Sequence, residues 1–238
     1  MPVALITGAS RGLGRATARL FAERGWSLVL DARNGVALSA LASELPAAST
    51  IAVPGDVTDA AHRRALLEAA DRLGGPDVLI NNASELGPSP LPELTAYPED
   101  ALRAVYETNV IAPLALIRLA LPTLSARGGV IVNVTSDAAV ESYPRWGGYG
   151  SSKAALEHLT RTLAVEHPEL RVYAFDPGDM RTEMHQRAFP GEDVSDRAAP
   201  ESLAPALARL LEDRPESGRY RAADLVAVAV EGEVEVGS

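Results

Sequence analysis

Short apolar runs alternate along this chain with longer stretches in which apolar residues return every three or four positions, and the order repeats from end to end. The runs at 3–6, 27–30, 50–53, 78–80, 130–134 and 171–175 have the length and apolar, β-branched content of buried strands. A helical period fills 12–24, 36–45, 59–73, 98–126, 147–167 and 201–213. Strand and helix in alternation are the mark of βαβ units. The pattern therefore predicts a doubly wound α/β fold, an open and mostly parallel sheet of six or seven strands with helices on both faces. Two segments break the rhythm. Residues 87–98 are rich in proline and read as a loop, while 176–200 place Pro-Gly after a strand and then run without a period. Long irregular stretches in compact domains are lids or binding loops, or else disordered, and 179–200 is read as a lid. The alternating Val, Ala and Glu of the last dozen residues fit a final strand or a frayed end.

At 238 residues the chain suits one domain over 1–238, since α/β folds of roughly 200–250 residues are routinely single. Hydrophobic residues at 47% and charged residues at 23% supply a core and exclude disorder throughout. The lack of cysteine removes disulfides, thiolate nucleophiles and Cys-ligated metals. With 22 Lys and Arg against 32 Asp and Glu, a net charge of −10, the chain has no basic footprint for nucleic acid. No charge-free stretch approaches the roughly 20 apolar residues of a membrane helix, and the N-terminus carries no basic segment followed by a long apolar one. A cytoplasmic protein without a membrane partner is expected. His62, His158, His167 and His185 show no close ligand spacing, so no metal is expected.

The first strand runs into Thr7, Gly8, Ala9, Ser10, Arg11, Gly12, Leu13 and Gly14, and a helical stretch follows at once. Three glycines at this spacing let the chain turn tightly and bring N–H groups close to a pyrophosphate, while the helix start adds partial positive charge. The spacing differs from G-x-G-x-x-G, and no Gly-Lys-Ser/Thr of a P-loop is present. The second strand ends in Asp31, Ala32, Arg33 and Asn34. An acidic residue there would bind the ribose 2′-hydroxyl of NAD, and an arginine the 2′-phosphate of NADP. Neighbouring strand residues face opposite ways, so Asp31 and Ala32 cannot both aim at the ribose. Arg11 and Arg33 could together neutralise a 2′-phosphate, which favours NADP over NAD; they could also be merely solvated.

Tyr149 and Lys153 are four residues apart at the start of a helical stretch and so share a face. A phenol of pKa about 10 needs help to exchange a proton near neutrality, and the Lys153 ammonium is positioned to favour the phenolate. Ser136 ends a strand, Asn109 is an amide in an apolar helical stretch, and Asn81, Asn82 and Ala83 follow another strand. In open α/β sheets ligands lie beyond the carboxyl ends of the strands, where all these groups fall. Individually they read as turn residues and caps; together they do not. Trp146, Tyr143 and Glu141 could line a substrate pocket or be ordinary loop packing. Met180, Met184 and Phe189 suit the apolar lining of a lid, or a core gap.

These residues, in this order, resemble the short-chain dehydrogenase/reductase family over almost the whole chain: Thr7-Gly8-x-x-x-Gly12-x-Gly14, Asp56-Val57, Asn81-Asn82-Ala83, Asn109, Ser136, Tyr149-x-x-x-Lys153, and Pro177-Gly178 with Thr182. The resemblance implies a Rossmann-like fold and hydride transfer between NADP(H) and a small-molecule carbonyl or secondary alcohol. It makes Tyr149 the general acid/base and Ser136 the group that polarises the substrate oxygen. Lys153 would bind the nicotinamide ribose and lower the Tyr pKa, and Asn109 would hold a proton-relay water. It also implies cofactor contacts by Gly8, Ser10, Arg11, Gly12, Leu13, Gly14, Arg33, Asp56, Val57, Asn82, Ala83, Pro177, Gly178 and Thr182, with Asn81 framing the adenosine half. Homodimers or homotetramers through the helices of Asn109 and Tyr149 are further expected from it. Ser84 replaces a usual glycine, Asp137 follows Ser136 where a small residue is commoner, and the familiar Gly-rich last strand is missing. The competing readings are an NADP(H)-sensing regulator without turnover, and a family member that dehydrates or epimerises its substrate.

Overall fold

The computed structural model describes residues 1–46 and 49–225. Seven strands form one parallel sheet: β1 (Val3–Ile6), β2 (Ser27–Ala32), β3 (Thr50–Pro54), β4 (Val78–Asn81), β5 (Val130–Val134), β6 (Arg171–Asp176) and β7 (Gly218–Arg221), in the order β3-β2-β1-β4-β5-β6-β7. Among the described residues, helices include α1 (Gly12–Glu23), α2 (Gly35–Glu44), α3 (Ala60–Arg72), α4 (Glu99–Tyr106), α5 (Ala112–Arg127), α6 (Gly147–Glu166), α7 (Glu183–Ala188) and α8 (Pro200–Asp213).

The central strands are apolar on both faces because both faces are covered. Ala4 and Ile6 of β1, Leu28 and Leu30 of β2, and Val130 and Val132 of β5 pack with Phe21 of α1, Leu38 of α2 and Leu207 of α8. The alternate residues Leu5, Val29 and Ile131 point the other way, onto Leu66 of α3, Leu116 and Ile117 of α5 and Leu163 of α6. Fully burying one such side chain stabilises the fold by roughly 1.5–3 kcal/mol, so a one-residue slip of register would be heavily penalised. Chain order reverses between β1 and β4, and a crevice opens there beyond the carboxyl ends of the strands.

Three features depart from expectation. The seventh strand is Gly218–Arg221, ahead of the alternating tail, which lies outside the described residues. The helical stretch after the Pro-rich loop is interrupted by a π segment, Glu107–Ile111, between α4 and α5. The continuous run Glu99–Arg127 is long and apolar enough to cross a membrane by length and composition, yet Leu116, Ile117, Ala120 and Leu124 belong to the core. Lastly, the segment read as a lid contains a short helix, α7, begun by Thr182, whose hydroxyl accepts from His185 N at 3.2 Å; a bridge between Met180 and Ala198 closes the segment on itself.

Candidate active site

Gly8 and Gly12 have φ of 65° and 57°, a left-handed conformation open to glycine at little cost. Close approach constrains the turn as well. A Cβ on Gly8 would lie 2.8 Å from Ala83 Cα, and one on Gly14 would lie 2.6 Å from both Asn82 Nδ2 and Gly8 O. Asn82 Nδ2 donates to Thr7 O (2.8 Å) and Gly8 O (3.1 Å), while Thr7 Oγ1 accepts from the main-chain N–H groups of Asn82 and Ala83, each at 3.0 Å. The end of β4 thus locks the turn. No side chain caps α1, and its first turn holds no acidic residue.

Under this turn Asp31 is buried. Its Oδ2 accepts from Gly8 N at 3.3 Å and its Oδ1 lies 2.6 Å from His62 Nε2. Burial raises the Asp31 carboxyl above its ordinary value, against the pull of His62. Asp31 is thus held by Gly8 N and His62 while still bordering the cavity that opens from the turn, and Arg11 and Arg33 are more than half exposed, paired with Glu183 and Glu85. His62 carries no signal in the sequence; only the packing of α3 on β2 brings it to Asp31.

A cavity of about 860 Å³ runs from the glycine turn across the crevice to α7. Its walls hold Gly8, Ser10, Arg11, Gly12, Leu13, Arg33, Asp56, Val57, Asn82, Ala83, Ser136, Tyr149, Lys153, Pro177, Gly178 and Thr182. Gly14 stands behind the turn. Asn81 does not frame the cavity: it is buried, and its Nδ2 donates to Asn133 Oδ1 at 2.8 Å, with Asn133 in turn donating to Thr160 Oγ1 at 2.9 Å. The Asp56 carboxylate accepts from Thr58 N (2.9 Å) and Thr58 Oγ1 (2.8 Å), which fixes the turn after β3.

Asn109 sits in the π segment and is wholly buried behind the wall. Its Nδ2 donates to Glu85 O (2.9 Å) and Ser152 Oγ (3.0 Å); its Oδ1 accepts from Glu85 N (2.8 Å) and Ser84 Oγ (3.2 Å). Two donors and two acceptor sites are all used, so no side-chain atom is left to hold a water. What the amide does is clamp the chain after β4 to α6.

Tyr149 and Lys153 face each other, with Lys153 Nζ 5.5 Å from the ring centroid and donating to Val134 O at 2.9 Å. Burial lowers the Lys153 ammonium to about 8. Burial also raises the Tyr149 phenol well above its usual value; contact with the Ser84 hydroxyl opposes this, the Asp176 and Asp137 carboxylates add to it, and Ser136 opposes it again. Net, the phenol of the chain alone is raised, with burial as the largest cause. Ser84, a departure from the glycine usual at that place, supplies a second hydroxyl beside Tyr149. Ser136 Oγ donates to Asp137 Oδ1 at 2.8 Å. Burial works to raise the Asp137 carboxyl, but hydrogen bonds from Ser136, Tyr143 and Ala138 N hold it below the ordinary range.

The far end of the cavity is apolar. Trp146, Leu86, Met184 and Ala188 line it, and the Trp146 ring lies 5.8 Å from both Tyr149 and Phe189. Tyr143 instead turns its hydroxyl to Asp137 Oδ2 at 2.9 Å.

The family model for short chain dehydrogenase matches residues 2–193. Serine 3-dehydrogenase of Rhizobium radiobacter is 37% identical over 185 residues, 75% of this chain and 72% of that protein. An alcohol dehydrogenase from Thermococcus sibiricus, solved with 5-hydroxy-NADP, superimposes with a TM-score of 0.83 at 30% identity, covering 93% of this chain and 95% of the other. A 3-ketoacyl-(acyl-carrier-protein) reductase from Brucella melitensis, solved with NADH, gives 0.84 at 26% identity over 92% and 96%. Matched over most of its length, and with a parallel sheet of the same architecture, the chain belongs to the short-chain dehydrogenase/reductase family.

Proposed function

We propose that this chain is an NADP(H)-dependent oxidoreductase that interconverts a small-molecule carbonyl and its secondary alcohol, with Tyr149 as the general acid/base. One observation carries the reading: the Tyr149 hydroxyl opens into the same cavity as the glycine turn, between the hydroxyls of Ser84 and Ser136 and one helical turn from Lys153. The residues fit a dinucleotide. Gly8 and Gly14 leave no room for a Cβ, so the main chain itself is what the turn presents, and Arg11 and Arg33 border the cavity as candidate partners of a 2′-phosphate. Asp31 borders the cavity but its two oxygens are engaged by Gly8 N and His62, so the reading of NADP over NAD rests on Arg11 and Arg33. Pro177, Gly178 and Thr182 border the nicotinamide side.

When bound, the nicotinamide supplies or takes the hydride. The chain does the rest. Ser136 holds the substrate oxygen, Tyr149 gives it a proton in reduction or removes one in oxidation, and Lys153 orients the ribose and adds positive charge near the ring. A phenol that burial keeps protonated suits the reductive direction. Asn109 acts as a positioning residue through Ser84, Glu85 and Ser152. The segment 179–200 covers the apolar end, where a substrate's apolar part would rest. Homodimers or homotetramers would form through α5 and α6, whose Ile111 flank and Leu119 are exposed; light scattering showing only monomer at micromolar concentration refutes that part.

The test is a panel of carbonyl compounds and alcohols followed by NADPH and NADH absorbance. Tyr149→Phe should lower turnover about 10²- to 10⁴-fold while leaving cofactor binding, read by NADPH fluorescence, nearly intact. Normal turnover by Tyr149→Phe would end the assignment.

A further inference from the structure

Behind the reacting edge of the sheet lies a set of buried charges that the proposed chemistry does not use. Glu157 sits on α6 one turn beyond Lys153, and Asp176 ends β6 immediately before Pro177; both are 2% exposed. Arg219 of β7 joins them. Its Nε donates to Glu157 Oε1 at 2.9 Å and its Nη2 to Asp176 Oδ2 at 2.6 Å, while Nη2 also lies 3.4 Å from Ser136 O. Thr135 Oγ1 donates to the same Glu157 oxygen at 2.8 Å, and Asp176 Oδ1 accepts from Gly178 N at 2.9 Å. One guanidinium thus touches the helix of Tyr149 and Lys153, the residue proposed to hold the substrate oxygen, and the turn proposed for the nicotinamide side.

We propose that Arg219 is a positioning residue of the reaction, tying α6, Ser136 and the Pro177 turn to one point and offsetting the Asp176 charge that opposes a Tyr149 phenolate. This rests on the reading of Tyr149 as the proton-transfer group. The charged groups facing Tyr149 are Lys153 on its own helix, Asp137 after β5 and Asp176 on β6, with Ser84 and Ser136 hydroxyls beside it; Arg219 stands behind Asp176 on β7. Asp176 and Asp137 oppose the phenolate, and Arg219 acts to lower the carboxyl of each. Glu157 also has Arg161 at 3.8 Å on the solvent side, so it keeps a partner when Arg219 is lost, whereas Asp176, among the described residues, keeps the Gly178 N–H alone.

The ionisation of Tyr149 is read in full-length protein saturated with NADP⁺, as the phenolate absorbance of each protein minus that of its Tyr149→Phe counterpart in an alkaline titration. Arg219→Met should move the midpoint up by about one pH unit, tenfold less phenolate at fixed pH, and Asp176→Asn should move it down by a similar amount. Arg219→Lys should stay near the parent. Damage to packing alone would not send the two variants in opposite directions. A midpoint unchanged in Arg219→Met, or Asp176→Asn ionising no earlier than the parent, overturns the proposal. If Arg219→Met does not fold, Asp176→Asn and Arg219→Lys decide it alone. The outcome is separable from the functional reading: a Tyr149→Phe protein that still turns over in the panel removes that reading, while an inactive Tyr149→Phe beside an unmoved Asp176→Asn midpoint removes only the role of Arg219.

Discussion

Asn109→Ala should loosen this protein more than an ordinary polar truncation. The amide is fully buried and makes four hydrogen bonds, to both main-chain groups of Glu85 and to the hydroxyls of Ser84 and Ser152. The two hydroxyls can turn, and Ser152 already donates to Tyr149 O at 2.6 Å, so they recover part of the loss. The N–H and C=O of Glu85 cannot. A part-buried main-chain group left without a partner costs about 1–3 kcal/mol, so the variant should lose about 2–4 kcal/mol. In a domain of this size 1 kcal/mol is worth roughly 2–4 °C, which places the fall in Tm at about 5–15 °C. Thermal unfolding by circular dichroism measures it, with urea titration to check that the m-value is unchanged. Because the clamp also sets Ser84 beside Tyr149, turnover should fall with stability. A Tm within about 2 °C of the parent would show that the π segment stands without this amide, and the argument from its four partners would fail.

Two further outcomes follow from the same geometry. The Lys153 ammonium is lowered by burial to about 8, so between about pH 8 and 10 the unfolded chain binds more protons than the folded one and stability should rise with pH, by up to roughly 3 kcal/mol. Denaturant midpoints of the parent and Lys153→Met across that window read the effect, and a difference between them that does not change with pH contradicts it. Arg33→Ala should raise the KM for NADPH about 10- to 100-fold, the scale of one charge-assisted contact, with little change for NADH. Initial rates with both cofactors measure this, and equal losses for the two would place Arg33 away from the 2′-phosphate.

Much of the architecture could be read from the linear order of residues. The six strands read from apolar runs form where expected: β1, β2, β4, β5 and β6 are buried on both faces and continuous burial leaves a continuous apolar trace, while β3, partly exposed beside β2, keeps a shorter one. The glycine turn was legible for a similar reason: a left-handed backbone at Gly8 and a contact of under 3 Å at Gly14 exclude every other side chain, so the requirement is written locally. Tyr149 and Lys153 were legible because a helix converts a spacing of four into a shared face.

What escaped the linear reading depends on partners far away in the chain. β7, Gly-Arg-Tyr-Arg, has no apolar alternation to betray it, since it lies at the sheet edge half in water. The π segment exists where Asn109 meets Glu85, 24 residues before it, and Ser152, 43 residues after it. The contact of Asp31 with His62 appears only when α3 packs on β2, and Arg219 looks like a surface charge until β7 is laid against β6 and its guanidinium meets Glu157 and Asp176. The direction in which the Tyr149 phenol is pushed belongs to the same class. Residue types along a chain name the groups able to exchange a proton, but burial and the sum of surrounding charges set its affinity, and those exist only once distant segments have packed together.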